Sequence, residues 1–132
     1  MKAVLDTNVL VSGILFGGIP GRIIDLWTEG RIEVFASPII VAEYHRVLDV
    51  FLRQSGRPLS LIAALTEKCH IVSDSHQHLK ICRDPDDDKF INCALAAGVT
   101  YIVSGDKDLL QVGRFGSVKV IKPALFLSLI KP

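Results

Sequence analysis

Ala3-Val4-Leu5-Asp6-Thr7-Asn8 carries three apolar residues directly into an acid, and Tyr101-Ile102-Val103-Ser104-Gly105-Asp106 repeats the form near the other end of the chain. Both apolar triplets read as short buried strands. Between and after them, helices and strands alternate. Helices are expected over Asn8–Phe16, ended by Gly17-Gly18, and over Pro20–Glu29, with Ile23, Ile24 and Trp27 as its apolar stripe. A strand at Ile32–Ala36 leads into Ser37-Pro38, an N-cap and first-turn proline opening a helix to about Arg53. A helix at Leu59–Lys68, a strand at His70–Val72 and a polar loop at Ser73–Leu79 follow. Asp84 caps a helix that has Pro85 in its first turn and runs to Ala97, stopping at Gly98. After the Tyr101–Val103 strand come a short helix at Lys107–Gln111, a strand at Val118–Ile121 and a last helix at Pro123–Ile130. Strands this short and apolar, alternating with helices, predict a parallel sheet covered on both faces. Ligand sites in such sheets lie beyond the carboxyl ends of the strands, which is where Asp6 and Asp106 fall.

At 132 residues the chain is expected to form one domain, residues 1–132, with a single core. A composition of 49% hydrophobic and 22% charged residues excludes a disordered chain. No apolar run reaches the roughly 18 residues of a membrane span. The opening Met1-Lys2-Ala3-Val4-Leu5-Asp6 lacks the shape of a signal peptide. Cys69, Cys82 and Cys93 show no metal-ligand spacing and read as reduced thiols, so the expected compartment is the cytoplasm. A net charge of +1 neither requires nor excludes a nucleic-acid partner.

Four stretches place an acid at the end of an apolar run: the two above, Ile39-Ile40-Val41-Ala42-Glu43, and the helix start Asp84-Pro85-Asp86-Asp87-Asp88. Desolvating a carboxylate is costly unless something pairs with it, and a hard divalent cation is the simplest partner for several that converge. Each acid also has a plainer reading. Asp6 could be a helix N-cap, and Asn8 either local capping or a residue that reaches the site behind the acids. Glu43, on the rim of the stripe Ile40, Tyr44, Val47, Leu48 and Phe51, could pair with Arg46. Asp84, Asp86 and Asp87 suit the start of a helix dipole. Periodicity alone does not separate Asp87 from Asp88. Asp108 reads as a first-turn acid or a further ligand. Gly105 permits a tight turn that brings Asp106 back over its strand end. His76-Gln77-His78 has no third ligand nearby and reads as solvated loop.

In this order, Val4-Leu5-Asp6-Thr7-Asn8-Val9-Leu10, Ser37-Pro38 leading to Glu43, Asp84–Ile91 and Val103-Ser104-Gly105-Asp106-Lys107-Asp108-Leu109-Leu110 resemble a PIN domain. The resemblance covers nearly the whole chain and is strongest to the VapC-like toxins of bacteria and archaea. It implies a three-layer α/β/α sandwich and a ribonuclease dependent on Mg²⁺ or Mn²⁺, cutting single-stranded RNA to a 5′-phosphate and a 3′-hydroxyl. It also implies a type II antitoxin partner and a homodimer. Carried over by position, the family's acids match Asp6, Glu43, Asp88 and Asp106. Asp88 is preferred to Asp87 because it precedes Lys89-Phe90-Ile91. Ser104 takes the family's Ser/Thr position. On this reading Asp6, Asp88 and Asp106 hold metal, and Glu43 binds a second ion or orients the attacking water. Arg46 and Arg53, on the Glu43 side of their helix, are candidates for RNA phosphates. The alternative is a non-catalytic module whose acids bind metal for stability or docking.

Overall fold

The computed structural model describes residues 1–73 and 79–130. Its elements follow the alternation above: β1 (Lys2–Leu5), α1 (Thr7–Phe16), α2 (Gly18–Thr28), β2 (Glu33–Ala36), α3 (Pro38–Ser55), α4 (Ser60–Thr66) and β3 (His70–Ile71). A 3₁₀ turn at Pro85–Asp87 then leads into α5 (Asp88–Ala97), β4 (Tyr101–Val103), α6 (Lys107–Val112), β5 (Arg114–Phe115), β6 (Val118–Ile121) and α7 (Pro123–Leu129). The loop reading of His76 and His78 lies outside the described residues.

The six strands form one sheet in the order β3-β2-β1-β4-β6-β5. All neighbours run parallel except the β5–β6 pair, which is antiparallel. The fold is therefore the expected α/β architecture, a mostly parallel sheet flanked by helices, with one antiparallel edge the sequence did not announce. β5 is only two residues long, and Gly113 and Gly116 flank it with φ of 65° and 59°. Their backbones read as loop signals and conceal the strand between them.

Capping chemistry sets the helix limits. Ser37 Oγ accepts from the Ile40 N–H at 3.4 Å, opening α3, and Gly56 closes it in the left-handed region at φ 71°. Asp84 accepts from the Asp86 N–H at 3.0 Å, as expected of a cap. The buried face of α3 carries Ile40, Tyr44, Leu48 and Leu52; Phe51, expected in that stripe, stands 38% exposed. The buried apolar positions fall four residues apart along one ridge of the helix, which Leu52 continues from Leu48 and Phe51 does not. The hydroxyl of Tyr44, fully buried, donates to the carbonyl of Leu5 and so ties α3 to the end of β1. α5 lies across β1, β2, β4 and β6 and buries Phe90, Ile91, Cys93 and Ala94. Cys69 and Cys82 are free thiols. Among the described residues no single helix is long and apolar enough to cross a membrane.

Candidate functional site

Sheet order reverses direction between β1 and β4: from β1 the chain goes out to β2, whereas β4 leads to β6 on the other side. Such a switch point opens a crevice at the carboxyl ends of the two strands. Asp6 is the first residue after β1, and its N–H still donates to the Val103 carbonyl at 3.0 Å. Ser104 likewise extends β4, its N–H donating to the Ile121 carbonyl at 3.0 Å. Two adjacent strand ends thus present their side chains to each other. Ser104 Oγ donates to Asp6 Oδ2 at 2.7 Å and accepts the Asp106 N–H at 2.9 Å.

Asp106 is held from both ends, because its own Oδ2 caps α6 by accepting the Leu109 N–H at 3.2 Å. Glycine freedom at position 105 has no part in this. The φ of Gly105 is outside the left-handed region, and a Cβ there would meet open space. The turn that returns Asp106 over the strand end is set by the Ser104 hydroxyl.

The acidic run divides differently from the expectation. Asp87, Asp106 and Asp108 bring carboxylate oxygens within 4.8 Å of one another, a group able to hold a metal ion. Asp88 does not join them. Its Oδ1 accepts the N–H groups of Ile81 at 3.0 Å and Cys82 at 2.7 Å, fixing the segment that precedes the helix. Successive helical residues diverge by about 100°, and of these two acids it is Asp87 whose side chain lines the crevice. The 3₁₀ turn that ends at Asp87 sets this angle, and a period of 3.6 carried back to Pro85 misses it.

Glu43 reaches the same crevice from α3. Asp6, Thr7, Asn8, Glu43, Arg46 and Asp87 line a cleft of about 290 Å³. Glu43 is 9% exposed, accepts from the Thr7 hydroxyl, and pairs with Lys89 Nζ at 2.6 Å and Arg46 Nη2 at 3.7 Å. Thr7 and Lys89 are contacts that motif reading passed over; a threonine directly after the first acid was the one available signal. A second cleft of about 630 Å³ adjoins on the α6 side, between Ser12, Pro20, Lys107, Pro123 and the acids Asp106 and Asp108. Asn8 lines both clefts. Arg53 lines neither; it pairs with Asp49 at 3.0 Å, roughly 10 Å along α3 from Arg46 at 1.5 Å per residue.

Among the described residues no lysine or arginine pairs with Asp6, Asp87, Asp106 or Asp108. The titration of Asp6 and Asp87 shows the consequence. Burial pushes Asp6 above the ordinary value, against the Ser104 hydrogen bond, and the charges of Asp106 and Glu43 add to the rise. Burial, then the charge of Asp106, pushes Asp87 up to about 7. Asp88 goes the other way: burial would raise it, but the Cys82 and Ile81 amides bring it below the ordinary value. An all-oxygen set that repels itself suits a hard divalent ion.

The pH dependence of stability follows. Asp6 and Asp87 bind protons more tightly folded than unfolded. Their contribution is full below the ordinary aspartate value of 3.8 and is lost as pH rises, for Asp87 through about 7. Asp88 has the opposite sign, but its loss falls below 3.8, outside that window. In EDTA, the melting temperature is expected to fall between pH 5 and pH 7.5, and excess Mg²⁺ to remove the fall. A metal-free melting temperature that rises over that range contradicts the charge repulsion described here.

The family model described as PIN domain matches residues 2–108. An uncharacterised protein of Methanocaldococcus jannaschii is 35% identical over 118 residues, spanning 85% of this chain and 75% of that protein. Among solved structures, a chain from the crystal structure of VapBC2 from Rickettsia felis, bound to a DNA fragment from their promoter, superposes with a TM-score of 0.61. That match covers 92% of this chain and 98% of the other at 14% identity, a likeness of fold.

Proposed function

The chain belongs to the PIN domain family, and from that premise we propose that it is a divalent-metal-dependent endoribonuclease acting on single-stranded RNA. The observation that carries the reading is the set of acids at the switch point of the sheet, to which no lysine or arginine pairs among the described residues. Asp6, Asp87 and Asp106 hold the ion, Mg²⁺ or Mn²⁺, with Asp108 beside them. Ser104 keeps Asp6 in place through its hydroxyl. A divalent ion bound there supplies a Lewis acid for the phosphate and lowers the pKa of a water. Glu43, fixed by Thr7 and Lys89, orients the attacking water from the cleft side. Arg46, on the rim of the same cleft, attracts the RNA backbone. The products are a 5′-phosphate and a 3′-hydroxyl.

On this reading residues 1–132 are one nuclease unit working in the cytoplasm as the toxin of a type II toxin–antitoxin pair. The likeness of fold to the VapBC2 chain supports that assignment. An antitoxin and a second copy of the chain are its protein partners. Apolar side chains exposed on helices, Phe16 at 83% and Leu125 at 50%, supply surface for such contacts.

The test is cleavage of end-labelled single-stranded RNA. We expect activity with Mg²⁺ or Mn²⁺, loss in EDTA, recovery on adding metal back, and 5′-phosphate ends. Cleavage that persists in EDTA removes the metal from the mechanism. Tight Mn²⁺ binding with no cleavage of any RNA favours a non-catalytic metal-binding module instead.

A further inference from the structure

The crevice contains two different charge environments. On one side stand Asp6, Asp87, Asp106 and Asp108, with no lysine or arginine paired to them among the described residues. On the other stands Glu43, whose oxygens are already engaged. Its Oε1 faces Lys89 Nζ at 2.6 Å and Arg46 Nη2 at 3.7 Å, and its Oε2 takes the Thr7 hydroxyl.

Lys89 is the centre of this second environment. Its Nζ lies among three oxygens: Glu43 Oε1 at 2.6 Å, the Asp86 carbonyl at 2.8 Å and Asp86 Oδ1 at 3.0 Å. An ammonium has three N–H donors and no acceptor, so this set satisfies it in full. The side chain is 12% exposed, and unpairing a charge at that depth is far costlier than breaking a surface pair. While the ammonium is in place it holds these oxygens at 2.6–3.0 Å and keeps them from closing in to the roughly 2.0–2.1 Å at which Mg²⁺ binds.

We propose that Lys89 is a positioning residue whose ammonium fills the place of a second cation beside the metal centre. The chain then takes one divalent ion, and Glu43 is a carboxylate anchored to Lys89 rather than a metal ligand. The inference rests on the metal-dependent reading above, but metal counting tests it without a nuclease assay.

Isothermal titration with Mn²⁺ is expected to give one ion per wild-type chain. Glu43→Gln should keep that one ion at unchanged affinity. Lys89→Met, which keeps the stem and removes the charge, should free Glu43 and Asp86 and raise the count to two. Lys89→Arg retains a cation and should return the count to one. Cleavage by Lys89→Met should fall about 10- to 100-fold, the usual loss when a group orienting an active-site residue is removed, and recover in part in Lys89→Arg. Two ions bound by the wild type overturn the inference while leaving metal dependence intact. So does a tenfold or greater loss of Mn²⁺ affinity in Glu43→Gln, which can be read even if Lys89→Met fails to fold. No ion bound by the wild type overturns both.

Discussion

Asp87→Asn is expected to lower Mn²⁺ affinity and RNA cleavage together, on the order of 10²–10³-fold, the scale of losing one group that stabilises transition-state charge. Asp88→Asn, one residue further on, should leave both close to wild type. The carboxylate of Asp87 stands with Asp106 and Asp108, whereas Asp88 is outside that group and its Oδ1 accepts the amides of Ile81 and Cys82. The effect of losing Asp88 is on stability. Asp88→Ala strips an acceptor from two part-buried N–H groups, at about 1–3 kcal/mol for each such group left bare, and should lower the melting temperature without changing metal affinity. Mn²⁺ titration and cleavage assays on the Asn pair separate the roles. An inactive Asp88→Asn beside an active Asp87→Asn would return the site to the arrangement that motif alignment alone suggests.

Gly13→Val should destabilise the fold by about 1–3 kcal/mol, the range for forcing extra volume into a packed contact. α1 and α2 meet at a bend of 100° and cross with their backbones nearly touching. A Cβ on Gly13 would run into the Cδ1 of Ile24 and lie 2.9 Å from both the carbonyl carbon and oxygen of Pro20. The isoleucine tip can turn aside, but the Pro20 backbone can yield only if α2 moves. Helix propensity offers little relief, since the advantage over glycine is about 1 kcal/mol for alanine and much less for valine. Pro20 and Ser12 also line the cleft beside Asp106 and Asp108, so the same wedge should weaken RNA binding while leaving Mn²⁺ affinity largely intact. Denaturant unfolding measures the first effect and substrate titration the second. A Gly13→Val protein as stable as the parent would mean that the two helices do not touch at this point.

Much of the fold was legible because local chemistry and tertiary need agree. Ser37-Pro38 starts α3, Gly98 ends α5 in the left-handed region at φ 67°, and apolar triplets become the central strands. Asp6, Ser104 and Asp106 were readable for the same reason: each follows a strand end, and parallel pairing of β1 with β4 brings strand ends together. Position within the Asp84–Asp88 run was not readable. It depends on a single 3₁₀ turn, and a one-residue change of register exchanges a carboxylate facing the crevice for one facing the Ile81-Cys82 backbone. Nor could sequence show that Glu43 meets Lys89, since the two are brought together only by packing of α3 beside α5.

Both margins of the sheet are only two residues long, β3 at His70–Ile71 and β5 at Arg114–Phe115. An edge strand is a template on which another polypeptide can add by backbone pairing, and its length limits how many hydrogen bonds the newcomer gains. Two residues offer too few to hold an added strand. The sheet is therefore terminated at both ends against fibre growth, even though a parallel core this apolar would nucleate it if its central strands lay open. Apolar surface of another kind lies on helical faces, where Phe16, Ile19, Leu125 and Leu129 stand exposed on α1, α2 and α7 and where contact with another polypeptide needs no strand.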